Sequence, residues 1–136
     1  MAASVLVDAG FLIALLSRRD RHHRWAAAQS PHLPRPWMTC EAVLSETFHL
    51  LGAGAGTALA ALLRRHAVVA AFDLGDELEP VLKLIQKYAD VPMSLADACL
   101  VRMSEIASGA VILTTDADFR IYRRHGRHVV SCLTPY

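Results

Sequence analysis

Acidic side chains stand in otherwise apolar sequence at VLVDAGFL (Asp8), LSETFHL (Glu46), SLADACL (Asp97) and LTTDADF (Asp116 and Asp118). A carboxylate among Val, Leu and Ala is costly to desolvate unless a cation, a helix N-terminus or a hydrogen-bond donor compensates it. Several unpaired carboxylates gathered in one place would repel one another unless a hard divalent cation neutralised them. Oxygen-only ligands suit magnesium or manganese better than zinc, and no Cys or His pattern in the chain has zinc spacing.

Taken singly, some of these acids have a structural explanation. Asp97 fits a capping box with Ser94, Asp118 fits one with Thr115, and nearby Glu41 fits the preference for anions at the start of a helix. Glu46 resists such a reading, because its helical neighbours Ala42, Val43 and Leu50 are apolar and no Lys or Arg lies three or four residues away. Asp8 resists it more, closing an apolar strand with no neighbouring side chain to explain it. The set together therefore argues more strongly for a site than any member does.

Positioning such a set requires strands that end in acids and helices that carry the rest. Residues Ser4 to Asp8 read as a buried strand by their β-branched content, and Phe11 to Leu16 begin a helix. Asp20 can cap a second helix through Trp25 and Ala28, which the Pro31, Pro34 and Pro36 segment breaks. Trp37 to Thr39 is a short extended piece, and Thr39 can cap a helix running to about Leu51. Gly52, Gly54 and Gly56 follow with no strand before them, so they predict a helix-helix connection rather than a phosphate-cradling loop, with the next helix at Thr57 to His66. A strand is predicted at Ala67 to Phe72, a helix at Asp76 to Tyr88, and another from Pro92 and Ser94 that carries Asp97. Ala110 to Thr114 reads as a strand, Asp118 to Tyr122 as a short helix, and His128 to Cys132 as a last strand. Strands separated by helices imply a parallel sheet of about five strands covered on both faces, an α/β/α sandwich. In such a sheet the ligand crevice lies beyond the carboxyl ends of the strands, where Asp8 and Asp116 fall.

A chain of 136 residues is most simply one domain, residues 1–136. The 54% apolar share excludes a disordered chain and is rich for a small monomer, so a buried partner surface is expected. A net charge of +1 gives no global steering toward nucleic acid or membrane. Cys40, Cys99 and Cys132 are far apart and in no CxxC spacing, and read as reduced thiols of an intracellular protein. The apolar N-terminal stretch is interrupted by Asp8 and followed, not preceded, by Arg18 and Arg19, the reverse of a secretory signal. With no apolar run of membrane-spanning length, the expectation is a soluble cytoplasmic protein.

At these acids the sequence resembles the PIN-domain nucleases, and within them the VapC-like toxin ribonucleases of prokaryotic toxin-antitoxin pairs. VLVDAGFLIALLSRRDRHHRWA looks like the family's opening strand, helix and Asp-x-His-His-like turn. TCEAVLSETFHLL resembles its second segment, SLADACL its third, and LTTDADF its Thr-x-Asp-x-x-Phe fourth. The resemblance implies that Asp8, Glu46, Asp97 and Asp116 are the catalytic acids, with Asp8, Asp97 and Asp116 as metal ligands and Asp118 as an auxiliary. Glu41 competes with Glu46 for its role, and Asp118 with Asp116. It further implies an endoribonuclease in which magnesium or manganese activates a water on the RNA phosphodiester, a PIN-like three-layer fold, an antitoxin partner and a homodimer. Thr114 and Thr115 are placed to hydrogen-bond a metal-bound water.

Arg120, Arg123 and Arg124, with Arg127, His125 and His128, form the most basic stretch. It reads either as an RNA-backbone contact or as a solvated helix face, the second being slightly favoured. His22 and His23 read as helix-start surface residues, and Ser17, Thr39 and Thr115 as caps rather than nucleophiles. Two rival classes share some of the pattern. An aspartate-based phosphotransfer domain also places Asp after a first strand, but a phosphatase would want a second Asp where Gly10 stands, and a receiver a Lys after a late strand. A catalytically inactive PIN-like module that binds RNA or protein would lack one of the acids, and none is missing.

Overall fold

The computed structural model describes residues 4–136. Three-residue apolar strands build the centre: β1 (Val5–Val7), β2 (Trp37–Thr39), β3 (Val68–Ala70) and β4 (Val111–Leu113), joined at the edge by β7 (Cys132–Leu133). All pair in parallel in the order β3-β2-β1-β4-β7, with Leu6 opposite both Met38 and Ile112. Parallel neighbours cannot be joined by a tight turn, so helices make the crossovers. These are α1 (Ala9–Leu16), α2 (His23–Gln29), α3 (Glu41–Arg64), α4 (Leu78–Lys87) and α5 (Leu95–Ile106). The result is the expected α/β/α layering around a five-stranded parallel sheet. Val5, Leu6 and Val7 are all buried, because helices cover both faces of the sheet. Phe11 and Trp37 lie in edge-to-face contact at 5.5 Å within the core.

From β1 the chain moves outward through β2 to β3, then returns to lay β4 on the other side of β1. The direction of winding therefore reverses between β1 and β4. In open parallel sheets such a reversal leaves a crevice at the carboxyl ends of the two strands. Asp8 follows β1 immediately, and Asp116 lies three residues beyond the end of β4.

Several local expectations differ from the structure. The predicted last strand divides: β6 (His128–Val129) pairs antiparallel with β5 (Arg123–Arg124) in a separate hairpin, and only β7 joins the main sheet. The glycine-rich connection is shorter than expected, since α3 runs to Arg64 and breaks only at Gly52 (φ 72°, ψ −174°). That left-handed backbone is open to glycine at little cost. Cys40, not Thr39, occupies the cap position of α3, while the Thr39 hydroxyl donates to the Val7 carbonyl at 2.8 Å and so ties β2 to β1. Asp20 accepts from the His22 amide at 2.9 Å, organising the turn before α2 rather than capping its first residue. Ser17 ends α1, and the turn expected to be capped by Thr115 is capped by Asp116.

Candidate active site

Asp8 leaves β1 with extended backbone and caps α1, its Oδ1 accepting from the Ala9 amide at 2.7 Å. Its Oδ2 accepts from the Thr114 hydroxyl, also at 2.7 Å. The same hydroxyl oxygen accepts from the Asp116 amide at 2.9 Å, and Asp116 Oδ1 accepts from the Asp118 amide at 2.9 Å. One run of hydrogen bonds thus connects the ends of β1 and β4 and sets three of the predicted acids. The fourth, Asp97, lies in the first turn of α5, where Ser94 Oγ accepts from its amide at 3.0 Å. The Tyr122 hydroxyl donates to Asp97 Oδ2 at 2.8 Å. Glu46 reaches the same place from α3. Asp8, Glu46, Asp97, Asp116 and Asp118 line one cavity of about 320 Å³, together with Gly10, Ser94 and Thr115.

The electrostatics follow from burial. Asp8 is only 6% exposed, and burial pushes its carboxyl up to about 7. The Thr114 and Ala9 donors oppose the rise, while the charges of Asp97 and Glu46 add to it. Burial also raises Asp97, against the Tyr122 hydrogen bond and with the charge of Asp116. Tyr122 is held well above the ordinary phenol range by burial and by its bond to Asp97. The acids therefore sense one another, and a divalent cation among them would reverse the balance in favour of the ionised forms.

The donor set fits a hard cation. Carboxylate and hydroxyl oxygens line the cavity, and no imidazole or thiol does. Among the described residues, no three such acidic, imidazole or thiol groups already stand close enough to form a metal shell.

The structure separates two residues that the sequence left in competition. Glu46 lines the acid cavity, whereas Glu41 lines a neighbouring one. Both Asp116 and Asp118 face the acid cavity. Thr114 is fully buried between Asp8 and Asp116, and Thr115 is on the cavity wall. The basic stretch is not a helix face. Arg123 donates to the carbonyls of Arg120 at 2.7 Å and Tyr122 at 2.9 Å, and Arg124 donates to the Ser104 carbonyl at 3.0 Å, so both brace the hairpin. Arg120 is exposed, with its guanidinium 5.9 Å from the Tyr136 ring. His23 opens α2 and pairs with the Ala14 carbonyl at 2.8 Å.

Two residues escaped the sequence reading. Tyr122 belongs to the site through a contact with a residue 25 positions away, for which no local pattern exists. Gly10 packs directly under Thr115, since a Cβ there would collide with Thr115 Oγ1 and force that side chain to move. The same contact disfavours a second Asp two residues after Asp8 unless Thr115 shifts.

Residues 5–124 match the family model of the PIN domain. Among solved structures, the chain is similar to VapC20 of Mycobacterium tuberculosis, described as a sarcin-ricin loop cleaving toxin. The two are 25% identical with a TM-score of 0.76, over 85% of this chain and 92% of that one. A protein of Pyrobaculum aerophilum, PAE2754, matches with 22% identity and a TM-score of 0.47, over 87% of this chain and 84% of that one. No curated protein sequence matches the chain.

Proposed function

From the premise that this chain belongs to the PIN-domain family, we propose that it is a metal-dependent endoribonuclease acting as the toxin of a toxin-antitoxin pair. The observation that carries this reading is the gathering of Asp8, Glu46, Asp97, Asp116 and Asp118 around one cavity at the switch point of a parallel sheet. The similarity to VapC20, described as a sarcin-ricin loop cleaving toxin, supports RNA as substrate.

Asp8, Asp97 and Asp116 would hold magnesium or manganese. When bound, the ion supplies a water of lowered pKa and a counter-charge for the phosphate in flight. Glu46, exposed on α3 at the cavity, would serve as the general base, its carboxylate orienting the attacking water and accepting its proton. Thr114 and Tyr122 each donate to one of the two buried carboxylates, Asp8 and Asp97, that line the cavity, and so hold them in place. Thr115 and Asp118 sit on the wall as auxiliary hydrogen-bonding groups. Of the arginines, Arg120 is the exposed one on the turn that carries Asp118, and it contacts the RNA backbone.

Protein partners follow from the same reading: an antitoxin chain, and a second copy docked on exposed apolar side chains such as Leu78 and Leu82 of α4. No helix among the described residues is long and apolar enough to cross a membrane, in keeping with a toxin acting in the cytoplasm.

The test is cleavage of total RNA by the purified protein with magnesium, with manganese and with EDTA, beside Asp8→Asn. Cleavage that needs the ion and is lost in Asp8→Asn supports the reading. Full cleavage by Asp8→Asn, or no cleavage by the wild type with either metal, defeats it.

A further inference from the structure

A larger cavity, of about 850 Å³, opens beside the acids at the same edge of the sheet. It is built on the ends of β2 and β3, as the acid cavity is built on β1 and β4, so two strand spacings, roughly 10 Å, separate the pair. The cavities share walls. On α3, Ser45 faces the larger cavity and Glu46 the acids; at the start of α5, Leu95 faces the larger cavity and the cap residue Ser94 the acids. A strand of RNA with one phosphate on the acids therefore has a neighbouring nucleotide within reach of this second space.

Its lining selects what can enter. Ala and Leu side chains and the part-buried ring of Phe72 make apolar walls, and the volume lies in the range of small-molecule sites. Glu41 and Asp73 face the same space, and no Lys, Arg or His does. Among the described residues the salt bridges join only Arg102 to Glu77 and Glu105, so neither Glu41 nor Asp73 is neutralised. Asp73 is held in place by the Gly75 and Asp76 amides, which both donate to its Oδ1, at 2.9 and 3.4 Å. Such a pocket repels phosphate and favours a flat, uncharged group with N–H donors on its rim. A carboxylate offers two acceptors side by side. Guanine has two adjacent donors, N1–H and N2–H, on its Watson–Crick edge. Adenine and cytosine set an acceptor beside their amino donor, and uracil flanks its single N–H with two carbonyls.

Resting on the nuclease reading above, we propose that this cavity is a base-specificity subsite that takes a splayed-out guanine next to the scissile phosphate, stacked on Phe72 and read by Glu41 or Asp73. Unstacked bases of single-stranded RNA are recognised in this way, by aromatic stacking and hydrogen bonds to the Watson–Crick edge.

The experiment has two arms on the full chain. In the first, a randomised single-stranded RNA pool is cleaved with manganese and the cut sites are sequenced. Wild-type cuts should be enriched for guanine at one fixed position within two nucleotides of the break. Glu41→Gln, Asp73→Asn and Phe72→Ala are compared, and loss of a bidentate base contact is expected to lower that enrichment about tenfold in at least one carboxylate variant and in Phe72→Ala. In the second arm, guanosine, adenosine and uridine are titrated into the protein and followed by NMR. Guanosine alone should shift resonances of Phe72 and Glu41, in wild type and in Asp8→Asn alike. A protein that cleaves without guanine bias, or variants that all keep the bias, would overturn the subsite. A wild type that cleaves no RNA would overturn only the nuclease reading, and the titration then decides the subsite by itself: a guanosine-selective shift upholds it and its absence removes it.

Discussion

The Tyr122 hydroxyl and the Asp97 carboxylate meet at 2.8 Å, joining the first turn of α5 to the segment that follows β4. Tyr122 is completely buried and packs edge-to-face on Phe119 and Tyr88. The bond holds a carboxylate whose burial already disfavours its charge. Removing the donor should therefore act on both stability and ionisation.

Tyr122→Phe keeps the packing and deletes the hydroxyl. It should cost about 1–2 kcal/mol, seen as a lower melting temperature. It should also raise the Asp97 carboxyl further and move the rising limb of any metal-dependent cleavage profile to higher pH. An unchanged pH profile would mean that Tyr122 serves packing alone.

Asp8→Asn and Asp97→Asn separate metal-holding acids from structural ones by the sign of the stability change. With EDTA and above pH 7, where Asp8 is ionised, each removes a repulsive buried charge, so melting temperatures should hold or rise. Magnesium should stabilise the wild type by mass action and these variants much less. Ser94→Ala supplies the contrast: its hydroxyl caps α5, and its loss should cost about 1 kcal/mol with or without metal.

The metal-free protein should lose stability as pH rises. Asp8 holds its proton up to about 7 when folded, against 3.8 for an ordinary carboxyl. Between those values the folded state binds more protons than the unfolded one, so the stability of the fold falls through the window and levels off above it. The shift corresponds to about 4 kcal/mol for an isolated group, and saturating magnesium should flatten the slope by favouring the ionised form. Urea melts at several pH values, with EDTA and with magnesium, measure it. A metal-free stability that increases from pH 4 to 7 would contradict the assignment of Asp8 as an acid whose burial outweighs its hydrogen bonds.

Gly10→Ala should destabilise, although glycine in a helix is ordinarily improved by alanine by up to about 1 kcal/mol. The added Cβ meets Thr115 Oγ1 at 2.1 Å, and overpacking of this kind costs about 1–3 kcal/mol. Thr115→Ala in the same chain should recover most of the loss, which a thermal melt of the double variant would reveal.

The sequence by itself determined the architecture and pointed to the acids that the fold gathers at one edge of the sheet. Short β-branched runs alternating with amphipathic helices imply a parallel sheet, and a parallel sheet brings its carboxyl ends to one edge; Asp8 and Asp116 at strand ends, and Asp97 behind a Ser94 cap, therefore fall together. Local spacing carries that information, because it depends on backbone periodicity alone. What only the tertiary structure decided were relations between distant segments. Glu41 and Glu46 are both acids on one helix, and which cavity each faces depends on how α3 rotates against the sheet and α5. Asp8 was unexplained in sequence because its second partner, Thr114, lies 106 residues away, and Tyr122 and Gly10 gain their roles from side chains that meet only after folding. The split between β6 and β7 has the same origin: two-residue strands carry too little periodicity to show their partner, so the choice between hairpin and sheet falls to long-range pairing.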